Sequence, residues 1–88
     1  MSVLKSITLK DTVNLMVSED YKDRFLAEYN QAVLRAYKLK RMLIKLEAGT
    51  LDFTPKCPVR LLNEQFEIMR QYIYVLEVRA EIEGITLE

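Results

Sequence analysis

Histidine and tryptophan are absent from this chain, and cysteine occurs once, at Cys57. Without histidine, the usual neutral-pH general base and the commonest metal ligand are both missing. A single thiol forms no internal disulfide, builds no zinc site and, as a nucleophile, has no obvious base beside it. Set between Pro55 and Pro58, Cys57 reads as a capping or buried loop thiol. There is no glycine-rich phosphate loop and no HExxH spacing. These absences argue against an enzyme, a metal centre or a cofactor. Only two glycines and two prolines interrupt 88 residues, which favours long regular elements over a turn-rich β fold. No apolar run reaches the roughly 18 residues needed to span a bilayer. The opening "MSVLKSITLK" lacks the apolar core and cleavage site of a secretory signal. The expectation is one small cytosolic domain over residues 1–88.

What is present is helical. Half the residues are hydrophobic, too many for a disordered chain. A break falls at "AGTLDFTPKCP", Ala48 to Pro58, where one glycine and both prolines cluster. Before it, Ser18 is the expected N-cap, with Glu19, Asp20 and Asp23 near the positive end of the helix dipole. A long helix is predicted over 19–47, stopping at Gly49 as a left-handed C-terminal residue. Pro58 suits the first turn of a second helix over 58–83, which stops at Gly84. Residues 1–17 form an N-terminal extension, with a shorter helix expected within Thr8 to Val17. The fold class is all-α: an antiparallel hairpin of two long helices with a short N-terminal helix.

Both long segments repeat apolar residues in alternating steps of three and four. The first seam runs Phe25, Tyr29, Ala32, Ala36, Leu39, Leu43 and Leu46; the second runs Leu62, Phe66, Met69, Ile73, Leu76 and Ala80. Such spacing places one apolar stripe along each helix and suits coiled-coil-like packing. The second helix carries a further stripe, Leu61, Ile68, Tyr72, Val75 and Ile82, widened by Tyr74 and Val78. A two-helix hairpin buries one side of each member, so this stripe needs another cover. A second copy of the chain is the preferred cover, which makes a homo-oligomer; the alternative is that the N-terminal extension folds back over it.

The charge is balanced, with 13 basic and 13 acidic residues, but it is not evenly spread. "VLRAYKLKRMLIKL", Val33 to Leu46, holds five cations and no acid. At about 100° per residue, Arg35, Lys38, Arg41 and Lys45 share one arc while Lys40 points elsewhere. Arg24 falls close to Arg35, and Tyr21 lies between the basic arc and the seam. Cations beside an aromatic suit an anion that also carries a flat ring. The plainer alternative is that these side chains lie along the seam and snorkel into water. Arg79 falls within the second stripe and needs an anionic partner. Glu83 or Glu81 fills that need locally; several Arg79 side chains gathered about a symmetry axis and holding a polyanion is the other possibility. Long nucleic acid is disfavoured by the neutral balance, by a pI near 6.3 and by the acidic second helix. A small anion in a recess avoids that repulsion.

"EDYKDRFLAEYNQAVLRAYKLKRML" followed by "LLNEQFEIMRQYIYVLEVRAEI" resembles the tailed-phage proteins that act as cyclic-oligonucleotide sponges, the second type of anti-CBASS protein. The resemblance covers about Glu19 to Ile82. It rests on a Tyr-Lys start, a Lys-Leu pair midway along a long helix, and "LLxxQxxxM" then "YxxVLxxR" in the second. It implies a compact helical hexamer that binds signalling cyclic dinucleotides such as 3′,3′-cyclic GMP–AMP without cleaving them, in the cytoplasm of the infected bacterial host. It also implies pockets between protomers, where an aromatic stacks on a base and a lysine meets phosphate. Tyr21 and Lys38 match those roles, with Arg35 and Arg24 as secondary candidates. Arg79 matches an arginine that some members use for cyclic trinucleotides at a separate axial site. Tyr21 and Lys38 are 17 positions apart, about 26 Å along one helix. One dinucleotide therefore meets both only if they come from different subunits. The competing reading is a structural or adaptor protein whose second apolar stripe holds a partner helix.

Overall fold

The computed structural model describes residues 8–87. A single 3-10 turn, Lys10–Thr12, runs into a one-turn α-helix, Val13–Met16 (α1). Two long helices follow, Tyr21–Ala48 (α2) and Val59–Glu83 (α3). All the regular secondary structure among the described residues is helical.

Local chemistry sets the helix ends. The N-cap of α2 is Asp20 in place of the expected Ser18: extended at φ −81° and ψ 122°, it accepts from the Lys22 amide through its carboxylate. Ser18 stands just outside, its hydroxyl accepting from the Asp20 amide at 3.1 Å and donating to Asp23 at 2.8 Å. Both are good capping residues; a helix begun two residues later leaves Ser18 to brace the cap. At the other end Gly49 has φ 78°, and the Thr50 amide reaches back to the Lys45 carbonyl at 2.9 Å. This left-handed closure suits glycine, which has no Cβ to clash. Gly84 closes α3 in the same way at φ 69°, with the Ile85 amide bonded to the Ala80 carbonyl. Pro58 is the N-cap of α3, one place before the first turn, where its carbonyl accepts from Leu61 and Leu62.

The two long helices pack against each other in opposite directions: Tyr21 meets Glu83, Glu28 meets Tyr72 and Tyr29 meets Glu77. The core at this seam is Phe25, Tyr29 and Val33 against Leu76 and Ala80, closed by Ile85 from the tail. Leu26, Ala32, Ile73 and Leu87 pack around it. Towards the interhelical loop the same seam is half-buried, at Leu39, Leu43, Leu46, Leu62, Phe66 and Met69.

The N-terminal turns do not cover the second stripe of α3. Among the described residues they pack on α2, where Ala27, Asn30 and Leu34 are buried with Thr12. At about 100° per residue that face is roughly opposite the seam, so α2 lies between the N-terminal turns and α3. Gln31 fastens the contact, donating to the Thr12 hydroxyl at 3.0 Å. Leu61, Ile68, Tyr72, Tyr74, Val75, Val78 and Ile82 therefore stay exposed, Ile82 at 78%. Fold-back of the N-terminal turns over the second stripe is thus not what the described residues do. Cys57 is exposed on the interhelical loop and not buried, and the N-cap of α3 is Pro58 instead. No helix among the described residues is long and apolar enough to cross a membrane.

Candidate ligand-binding surface

Where α2 begins and α3 finishes, the antiparallel pairing assembles a cluster that neither helix holds alone. Tyr21 opens α2, and Arg79 and Glu83 stand one turn apart at the end of α3. Arg79 Nη2 donates to the Tyr21 hydroxyl at 2.7 Å, and that hydroxyl donates to Glu83 Oε1 at 2.9 Å. Arg79 Nε meets Glu83 Oε2 at 3.2 Å, which closes a three-membered ring of contacts. The buried Phe25 ring is the platform, with the guanidinium carbon 5.1 Å from its centroid and Tyr21 edge-on at 6.2 Å and 61°. The hydrogen bond to Glu83 raises the Tyr21 phenol above its ordinary value, and the same carboxylate raises Arg79. Of the two local acids, Glu83 is the one that pairs with Arg79. The pair is partly exposed, so its geometry matters more than its contribution to stability.

Lys38 is not part of this cluster. It is exposed on α2, about 26 Å along the helix from Tyr21, and a single protomer does not bring the two together. Among the described residues, Arg35, Lys38, Lys40, Arg41 and Lys45 form no ion pair. The line of Ala27 and Leu34 continues along α2 to Lys38, Arg41 and Lys45, so the basic arc extends the face on which the N-terminal turns lie.

Arg24 and Arg35 do come together, as lining of a recess of about 400 Å³ between α1 and α3, floored by α2. Arg24 is held by the Ser18 carbonyl at 2.7 Å. Tyr72, which the sequence places in the apolar stripe, lines the same recess, and its hydroxyl donates to Glu28. A second, more apolar recess of about 770 Å³ lies at the loop end, between Leu43, Ile44, Val59 and Phe66.

The direct Tyr21–Arg79 contact and the Phe25 platform were not legible in the sequence, because spacing along one helix says nothing about what the opposite helix presents. The one available signal was Arg79 itself, a cation inside an apolar stripe. Among the described residues no group of three histidine, cysteine or acidic side chains is placed to hold a metal ion.

Exposed cations and aromatic rings thus lie close together on the two long helices. The Sequestin family model matches residues 19–82, both long helices together with the loop that joins them. The chain belongs to the Sequestin family, the sponge family that its two helices resemble, and the family is one of sequestering proteins. No curated protein and no solved structure matches the chain.

Proposed function

We propose that this protein binds signalling cyclic dinucleotides such as 3′,3′-cyclic GMP–AMP and holds them intact in the cytoplasm of the infected bacterium. A CBASS effector is thereby starved of its activator. The observation that carries this reading is the family match across both long helices. Two structural facts support it. The second stripe of α3 is exposed along its whole length, as a surface for copies of the chain, assembled as a hexamer. Tyr21 and Lys38 stand far apart on one helix, so a shared pocket takes the tyrosine from one copy and the lysine from another, with Arg35 and Arg24 adding positive potential. Stacking on the phenol ring and charge-assisted bonds from the lysine are the recognition chemistry. Arg79 serves cyclic trinucleotides at a second site, which adjoins the first because Arg79 Nη2 bonds the Tyr21 hydroxyl at 2.7 Å.

Calorimetric titration with a panel of cyclic di- and trinucleotides tests the reading. Tyr21→Ala and Lys38→Ala are each expected to weaken dinucleotide binding by on the order of tenfold or more, with the ligand recovered intact after heat denaturation. Recovery of a linear product would show an enzyme instead. A second reading draws on the same exposed stripe, in which Leu61, Ile68, Val75 and Ile82 hold a partner helix. Absence of binding heat with every cyclic nucleotide would favour it.

A further inference from the structure

We infer that Glu83 is a built-in competitor for the anion-binding face of Arg79, so that a ligand reaches the guanidinium only by displacing this carboxylate. The inference rests on Arg79 being a ligand-binding residue, as proposed above. Arg79 is not a free cation. Its Nε is bonded to Glu83 at 3.2 Å and its Nη2 to Tyr21 at 2.7 Å, and Phe25 lies beneath it. The Tyr21 hydroxyl bridges to the other oxygen of the same carboxylate, so Glu83 is anchored at both oxygens.

Two consequences follow from the charge. First, each Arg79 carries its own counter-ion, so several copies gathered around an axis do not repel one another when the site is empty. Secondly, a ligand must exchange a phosphodiester for a carboxylate that is already tethered. A single phosphate gains little by such an exchange, since one anion replaces another that is held at high effective concentration. A ligand with several linked phosphates makes the exchange at several arginines at once, and its phosphates are tethered to one another. Glu83 thus raises the threshold for every anion at Arg79, a cost that only a ligand engaging several arginines at once repays. It sets the affinity of this site by acting through Arg79.

The test is calorimetry of the full-length protein with cyclic triadenylate and with cyclic GMP–AMP, comparing wild type, Glu83→Gln and Glu81→Gln. Glutamine keeps the shape and the acceptor for Tyr21 while removing the charge. Glu81 is one helical step or more away from the cluster, is exposed, and its substitution makes the same change in net charge. The expected result is trinucleotide affinity raised on the order of tenfold in Glu83→Gln. Glu81→Gln should match wild type with either ligand. Equal tightening in both variants would overturn the inference by showing a general charge effect. Unchanged affinity in Glu83→Gln, with wild type binding trinucleotide, would overturn it and leave sequestration standing. Binding of dinucleotide alone in all three proteins would remove the ligand role of Arg79 and this inference with it. No heat with either ligand would overturn the functional reading as well.

Discussion

The two ends of the hairpin are built from the same heptad spacing and are packed differently. At the end where α2 begins and α3 finishes, Phe25, Tyr29, Leu76 and Ala80 are buried, Phe25 at 2%, and Ile85 returns from beyond Gly84 to close the core. At the loop end, Leu39, Leu43, Phe66 and Met69 occupy equivalent seam positions and are only half-buried beside an open recess. The difference lies in what caps each end. Large rings, a small Ala80 and a returning tail fill the first; among the described residues the second is crossed by the interhelical loop, with Phe53 and Cys57 on its surface. Spacing selects which residues face inward, and a third element decides whether they leave water.

That contrast can be broken by experiment. The largest effect is expected for Leu76→Ala at the closed end, a loss of about 3 kcal/mol in denaturant unfolding. Leu43→Ala at the open end should cost about 1 kcal/mol, since less apolar area returns to water. Equal losses would mean that the loop end is covered in solution, and a cost for Leu43→Ala that grows with protein concentration would identify the cover as another copy. Next comes Gly84→Ala, which holds the tail in its return. At φ 69° and with nothing within 4 Å of the added carbon, the cost is backbone strain alone, about 1 kcal/mol. A much greater loss would show that Ile85 had been pulled out of the core. The smallest effect is alkaline. Tyr21 has its phenol raised from its ordinary value of 10.0 by Glu83, so the folded state holds this proton more tightly than the unfolded chain does. The resulting stability is present below that value and is lost as pH rises through the folded one. Thermal unfolding followed from roughly pH 9 to 11 should fall more steeply for wild type than for Tyr21→Phe; identical slopes would show that the hydroxyl contact is not kept in solution.

Much of the hairpin was readable one residue at a time. Gly49 and Gly84 announce their left-handed turns because other residues avoid φ near 78° and 69°. The seam was readable because Phe25, Tyr29, Leu76 and Ala80 are apolar at helical spacing. The second buried face of α2 was not, because Ala27 and Asn30 are small or polar and leave no apolar period. Ser18 and Asp20 are equally good caps, and their rivalry was resolved by where the first turn of α2 starts. In the candidate site, Arg79 was conspicuous as a cation among apolar neighbours, and Arg24 with Arg35 by their shared arc. Tyr72 was hidden among the apolar members of that same stripe.

By itself the sequence determined that this is a pair of long helices broken at 48–58, with a neutral balance, a basic arc and an apolar stripe in excess of one seam. These follow from local rules, since helix periodicity, capping and charge phase need only neighbours within a few residues. The tertiary structure alone decided that the N-terminal turns lie on α2 and leave α3 bare, and that Tyr21 meets Arg79 and Glu83 across about 60 residues of chain. Such contacts depend on how two rods are offset and rotated against each other, which is set by the fit of Phe25, Tyr29, Leu76 and Ile85 as a group.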